Sequence, residues 1–243
     1  MQDHSVIFKD LGLIDYKSAW DYQEKLLSEN ARIKSELRKM TVDSDKWAVN
    51  SELLTKNYFL LCEHPPVYTL GKSGSKENVL MSDDELVKNN IQFFNTNRGG
   101  DITFHGLQQI VGYPILDLEN YYTDIGKYLR NLEEVIIRSI AEYGIKGDRS
   151  KGETGVWVDP DVKGKERKIC AIGVRCSRWI TMHGFALNVN TDLSYFNNII
   201  PCGIQNKQVT SIEKELVRKV DYEEVKEKIK RNFEVVFESQ LVS

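Results

Sequence analysis

Tyr58-Phe59-Leu60-Leu61-Cys62 is an unbroken apolar run, closed by Glu63-His64-Pro65-Pro66. A half-exposed strand would alternate; a short run without alternation reads as a strand buried in a sheet. Proline lacks the N–H that a ladder needs, so the strand ends there. Further extended segments are read at 6–10, 67–70, 91–94, 110–118, 155–159, 168–174 and 182–189, the last alternating in part. Helical patterns fall between them. Asp15 precedes Tyr16, Trp20, Leu26 and Leu27, a helix expected to end between 29 and 39, where charge takes over. Residues 38–51 are mostly polar and read as a surface connection. Ser82-Asp83-Asp84-Glu85 is a capping box opening a short helix. Asp124 caps the clearest helix: Leu129, Leu132, Ile136, Ile140 and Tyr143 recur at steps of three and four, and Gly144 sits where it should stop. A last helix starts at Asp221, with Glu224 in capping-box spacing and Val225, Ile229 and Phe233 facing inward. Strands and helices mix without strict alternation. This predicts a single domain over 1–243, α/β or α+β, built on a mixed β-sheet.

Composition narrows the classes of function. With 243 residues, 41% hydrophobic and 28% charged, the chain has the balance and length for a sizeable core. A net charge of −3 argues against a general nucleic-acid binder and leaves room for local basic patches such as 163–168. Cys62, Cys170, Cys176 and Cys202 form no CxxC pair, and the histidines are scattered, so no zinc site is expected. Four cysteines in this length are no disulfide framework, which fits a reducing cytosol. The N-terminus lacks signal-peptide zones, and no apolar run reaches the length of a membrane span. Gly71 to Lys76 has the composition of a phosphate loop but not its spacing, so no nucleotide site is read there.

Several stretches could carry chemistry. Ile199-Ile200-Pro201-Cys202-Gly203 holds one thiol at a stiff turn beside apolar surface, a setting for a nucleophile that accepts an acyl chain. A free cysteine is equally at home as a small buried hydrophobe. Lys168 opens the apolar strand Ile169-Cys170-Ala171-Ile172-Gly173. It could be a partly desolvated proton acceptor, or the solvated end of the basic run Lys163, Lys165 and Arg167. Beside a thiol, an ammonium raises the thiolate fraction, and the pair could share one proton. Arg98-Gly99-Gly100, followed by Thr103 and His105, offers a guanidinium fork, close backbone approach and a proton carrier or donor; a glycine hairpin with an exposed arginine is the plain alternative. His183-Gly184-Phe185-Ala186 places two small residues on one strand face, leaving room for a ligand, with His183 itself read as an ordinary hydrogen-bonded histidine.

Together these motifs resemble the octanoyltransferase family, also called lipoyl(octanoyl) transferase. The resemblance rests on RGGDITFHG at 98–106, YPI at 113–115, KICAIG at 168–173, HGFALNV at 183–189 and PCGI at 201–204. LLCEHPPVYTLG at 60–71, GETGVWVD at 152–159 and VTSIEKEL at 209–216 flank them. Such ordered motifs over roughly 15–235 are far more specific than one short pattern. The resemblance implies the fold of the biotin/lipoate protein ligase catalytic domain: a mixed sheet, a smaller second sheet and flanking helices. It implies transfer of an octanoyl group from octanoyl-acyl carrier protein to a lysine of lipoyl domains, in 2-oxo acid dehydrogenase E2 subunits and the glycine cleavage H protein. This is the first step of endogenous protein lipoylation, through an acyl-cysteine thioester, in the cytoplasm and without cofactor or metal.

By the same resemblance Cys202 is the acyl-thioester cysteine, and Lys168 is the lysine that lowers its pKa. Substrate contacts are implied at Arg98, Gly99, Gly100, Asp101, Ile102, Thr103, Phe104 and His105, at Ala171, Ile172 and Gly173, and at Gly184, Phe185 and Ala186. An ATP-dependent lipoate or biotin ligase on the same fold, a non-enzymatic acyl-carrier binding module and a thioesterase are the competing readings. The chain departs from the family's usual HGPGQ at Leu107-Gln108 and has Cys170, read as a packing residue, where a small apolar residue is usual.

Overall fold

The structure is a computed structural model that describes residues 4–43, 54–200 and 208–243. The end of the 38–51 connection and the turn carrying Cys202 lie outside the described residues. In chain order the elements are β1 (Ser5–Leu13), α1 (Tyr16–Asp43), β2 (Asn57–Glu63), β3 (Val67–Leu70), α2 (Asp83–Lys88), β4 (Gln92–Asn95), β5 (Ile102–His105) and β6 (Gln109–Ile115). There follow α3 (Ile125–Ala141), β7 (Gly147–Asp148), β8 (Val156–Val158), β9 (Arg167–Ser177), β10 (Ile180–Asn188), β11 (Gln208–Val209), α4 (Ile212–Leu216), α5 (Tyr222–Phe237) and β12 (Gln240–Val242). Among the described residues, nine strands form one sheet in the order β12-β1-β2-β6-β10-β9-β8-β7, with β11 beside β9. A second sheet runs β4-β3-β5. Parallel pairs (β1 with β2 and β12) and antiparallel pairs (β2–β6, β6–β10, β10–β9) share the large sheet, which is therefore mixed. The expected α+β architecture, with its smaller second sheet, is what the chain adopts.

The apolar run in β2 now has its reason. Phe59 and Leu61 face a core built with α3 and α5, around Leu132, Ile136, Ile140, Val225, Ile229 and Phe233. Leu60 and Cys62 face the other way, onto Ala19, Leu26 and Leu27 of α1. Helices cover both faces, so neither set of alternate residues can be polar. The same cover explains β10, which is buried along its whole length although its sequence alternates in part. A third cluster, with Tyr68, Leu86, Ile91 and Phe104, packs the small sheet.

Helix starts follow their caps. Ser82 and Glu85 form the reciprocal capping box, and the Asp124 carboxylate accepts from Lys127 N. Asp221 caps α5 by accepting from the N–H groups of Glu223 and Glu224, while the Glu224 carboxylate pairs with Lys228 rather than turning back. Two boundaries differ from the sequence reading. The segment expected to run as strand to 118 ends at Ile115, and Asp117 instead caps a short turn at Leu118–Asn120. The first helix does not stop between 29 and 39 but continues to Asp43. Charge fails to end it because the inward-facing polar groups are paired. Asn30 exchanges hydrogen bonds with the Lys56 backbone at 2.7 and 3.0 Å. Buried Lys34 reaches Asp117 at 2.6 Å, Glu119 at 2.9 Å and the Arg178 carbonyl at 2.9 Å. Among the described residues no helix is long and apolar enough to cross a membrane.

Removing one partner of a buried ion pair strands the other. Lys34→Ala is expected to cost about 3 kcal/mol, read as a lower urea midpoint at unchanged slope; an unchanged midpoint would show that the helix does not need this anchor.

Candidate active site

A cavity of about 580 Å³ opens where the small sheet meets the large one. Its walls come from Tyr16 of α1, the 98–101 turn, β5, β6, the first turns of α3, residues 152–154, β9 and β10. The turn is held from both sides. Lys72 N donates to Arg98 O at 3.0 Å and Gly71 N to Asp101 O at 3.2 Å, while Gly99 N donates to Val174 O at 2.9 Å. Such backbone-to-backbone packing requires glycine: a Cβ on Gly71 would lie 2.3 Å from Gly100 O, and one on Gly173 would lie 2.8 Å from Gly99 O. β8 pairs with β9 only as far as Cys170. The edge of β9 at 171–173, between that pairing and the bond to Val174, borders the cavity.

Of the residues singled out in sequence, the cavity is bordered by Lys168, Arg98, Gly99, Gly100, Asp101, Ile102, Thr103, His105, Ala171, Ile172, Gly173, Gly184, Phe185 and Ala186. Phe104 is not among its walls. Its ring stacks on Tyr195 at 4.5 Å and meets Phe196 edge-on at 5.5 Å, inside the small-sheet core. Cys202 lies outside the described residues, but Phe196 before it and Val209 after it both line the cavity.

Lys168 is not the solvated end of a basic run. Its side chain is 19% exposed, with Nζ 4.6 Å from the Trp157 ring centre and 3.9 Å from Glu153 Oε2. The strand beneath it is fixed by β11, where Val209 pairs with Lys168, and by Thr210 N donating to Lys168 O at 2.9 Å. Arg98 directs its guanidinium to the chain itself, donating to Thr69 Oγ1 at 2.9 Å, to Thr69 O and to Gly99 O at 3.0 Å. Asp101 accepts from Ile102 N at 2.7 Å and from Asn78 at 2.9 Å, which shapes the same turn. Gly184 is small for a reason besides the ligand: a Cβ there would lie 2.1 Å from Gly112 O.

The histidines around the cavity are neutral. His64 donates through Nδ1 to Ile14 O at 2.7 Å and meets Tyr113 Oη at 2.8 Å. His105 sits between Gln109 Oε1 at 2.9 Å and Thr69 Oγ1 at 3.3 Å. His183 donates to Asn97 Oδ1 at 2.7 Å, and Asn97 is oriented by its own bond to Glu24. Burial holds His64 down to about 4 and His183 to about 3, the latter helped by Arg98 and Arg175. His105 is held well below the usual range by burial, with His64 and Arg98 adding to it. A buried imidazole without an anion stays uncharged. Of the two roles read for His105, proton carrier or donor, burial and its bonded neighbours favour the second: it sits as a fixed donor and acceptor. Cys170 is a fully buried core residue, and burial pushes its thiol up, away from reactivity. At the departure from the family pattern, Gln108 takes a left-handed φ of 61°, the conformation that glycine would adopt easily. Among the described residues, no cluster of His, Cys, Asp or Glu could hold a metal.

Tyr16, Thr69 and Asn97 were missed in the sequence. Tyr16 reads as an ordinary inward helix residue, Thr69 as part of a strand and Asn97 as a turn. Gln109, Asn188 and Glu153 lay within or beside quoted motifs, and that was their signal.

A family model described as the lipoyl protein ligase A/B catalytic domain matches residues 15–234. An octanoyltransferase of Christiangramia forsetii is 55% identical over 234 residues, covering 96% of both chains. One of Flavobacterium johnsoniae is 55% identical over 235 residues, 96% of this chain and 97% of that one. Among solved structures, a bipartite lipoate protein ligase of Thermoplasma acidophilum aligns over 100% of this chain and 86% of its own, with a TM-score of 0.66 at 16% identity. At that identity the likeness concerns the fold.

Two outcomes follow from this geometry. The unfolded chain binds more protons than the native one between the ordinary histidine value of 6.5 and the folded value of about 4 for His64. Stability should thus be full above that window and fall as pH drops through it, with Tm already declining above the carboxylate range; a flat Tm there would contradict neutral buried histidines. Gly112→Ala would set a Cβ 2.2 Å from the Phe185 ring, which borders the cavity. It should cost about 1–3 kcal/mol and lower activity, read by denaturation and turnover together.

Proposed function

This chain belongs to the lipoyl protein ligase A/B catalytic-domain family, and we propose from that premise that its donor is octanoyl-acyl carrier protein. Its activity is octanoyl transfer in protein lipoylation, an acyltransferase reaction, and its acceptors are lipoyl domains. We assign as acceptors the lipoyl domains of 2-oxo acid dehydrogenase E2 subunits and of the glycine cleavage H protein. The whole chain, 1–243, acts as one catalytic domain in the cytoplasm, where a free thiol persists.

The nucleophile in this reading is Cys202 and its partner is Lys168. The observation that carries it is the convergence on one cavity of Lys168, the 98–101 turn and the 183–186 strand, with both flanks of the Cys202 segment on its walls. An ammonium beside a thiol favours the thiolate. The Cys202 thiolate attacks the octanoyl carbonyl, the carbon–sulfur bond to the carrier breaks, and the departing thiolate takes a proton from Lys168. The neutral amine of the acceptor lysine then attacks octanoyl-Cys202. The amide forms, Lys168 takes the excess proton, and Cys202 leaves as thiolate. Atoms and charges return to the start, and thioester to amide is downhill, so no ATP enters.

The Glu153 carboxylate and the Trp157 ring lie beside Lys168 Nζ, at 3.9 Å and 4.6 Å. Backbone N–H groups at the open edge of β9 near 171–173 are placed to receive the oxyanion. The octanoyl chain lies along Gly184, Phe185 and Ala186, and each methylene buried there contributes about 0.8 kcal/mol. Arg98 and Asp101 serve by holding the turn, so that Gly99, Gly100, Ile102 and Thr103 present backbone and small surface to the substrate. Exposed Lys72, Lys76, Lys163 and Lys165 offer the acidic carrier a basic approach.

Cys202→Ala should abolish transfer from octanoyl-carrier to a lipoyl domain, and Lys168→Ala should lower it by about 1000-fold. Wild-type rates in either variant would remove that residue from the mechanism. Octanoate with ATP and no carrier should give no product; product there would favour an ATP-dependent ligase. Carrier binding without transfer would favour a non-enzymatic module.

A further inference from the structure

Arg98 and Lys168 stand on different walls of the cavity, yet one hydrogen-bond chain connects their supports. Gln109 fixes its direction. One amide atom of Gln109 lies 3.1 Å from Phe104 O, and a carbonyl only accepts, so that atom is the nitrogen. The same nitrogen donates to Asn188 Oδ1 at 2.8 Å. Gln109 Oε1 therefore faces His105 Nδ1 at 2.9 Å, which must carry the ring proton. His105 Nε2 is then a lone pair and accepts the Thr69 hydroxyl at 3.3 Å. That orients Thr69 Oγ1 to accept from Arg98 at 2.9 Å. On the other side, Asn188 Nδ2 donates to Thr210 O at 3.0 Å, and Thr210 N donates to Lys168 O at 2.9 Å. From Arg98 to Lys168 every donor points the same way, and its side-chain links are all buried. Aligned hydrogen bonds in a dry interior reinforce one another.

We propose that Gln109 is a positioning residue: it sets the His105 tautomer that holds the Arg98 turn and, through Asn188, holds the backbone of Lys168, so both walls keep one spacing. The proposal rests on the catalytic reading of Lys168 for its kinetic consequence but not for its tautomer. His105 is faced by the Tyr16 ring from α1 at 5.8 Å, by His64 from the β2–β3 connection at 6.0 Å, by Thr69 and Gln109, and by the charges or dipoles of Arg98 and His183. Gln109→Glu would keep the acceptor for His105 Nδ1 while removing the donor to Asn188. Its second oxygen would face two acceptors, Phe104 O and Asn188 Oδ1, which breaks the chain there unless Asn188 turns its amide round, and the ionised carboxylate beside the ring favours imidazolium. A protonated His105 donates from both nitrogens and can no longer accept from Thr69.

The test is long-range 1H–15N NMR on the full chain with labelled histidine. In the wild type, His105 should carry its proton on Nδ1 and show no titration from about pH 5 to about pH 8. A proton on Nε2, or an ordinary midpoint, overturns the proposal whatever the enzyme's substrate proves to be. In Gln109→Glu, His105 should titrate within that range. Transfer should gain an acid limb, about tenfold lower kcat at the low end with the donor KM little changed. A folded Gln109→Glu with the wild-type pH profile overturns it; if that variant does not fold, the wild-type spectrum decides.

Discussion

A short turn held between two backbones is the constraint on which the rest of the molecule depends. Gly99 and Gly100 sit between Gly71, at the end of the small sheet, and Gly173, on an edge of the large one. At both contacts the missing Cβ is what lets the chains meet. If the turn stood a few tenths of an ångström further out, the sheets would part and the cavity would lose a wall. Arg98, which borders the cavity, also holds this junction through its bonds to Thr69 and Gly99.

The cavity's polar lining follows from the same economy of space. Its buried imidazoles and amides are bonded to side chains and to backbone carbonyls, because an unmet polar group in a dry wall is costly. At the β9 wall Lys168 lies between Glu153 and the Trp157 ring. Cys170, the thiol nearest to Lys168 in sequence, is kept out of the chemistry by complete burial.

Much of this was legible in the chain. The β2 run announced a strand covered on both faces, the caps at Ser82, Asp124 and Asp221 marked helix starts, and residues of the motifs at 98–106, 113–115, 152–159, 168–173 and 183–189 gathered around one cavity. What escaped depends on partners distant in sequence. Nothing near Lys34 reveals that Asp117 will neutralise it, so α1 looked shorter than it is. Phe104 sits in a four-residue strand whose faces cannot be told apart without knowing that Tyr195 and Phe196 cover one of them. His105 has the composition of a proton carrier, and only its burial beside Arg98 and His64 makes it a fixed dipole. Gln108 shows the reverse: a residue that breaks the family pattern stands at a left-handed φ of 61°, which glycine would adopt easily.

The proposed reaction turns on passage of the octanoyl group through the Cys202 thiol with Lys168 as its proton partner. Peptide mapping by mass spectrometry, after mixing the chain with octanoyl-acyl carrier protein and withholding the acceptor, tests it most directly. The account predicts a hydroxylamine-labile octanoyl thioester on the peptide bearing Cys202, which forms far more slowly in Lys168→Ala and is discharged when a lipoyl domain is added. Transfer to the lipoyl domain with no label on Cys202, or with the label on another residue, would contradict it.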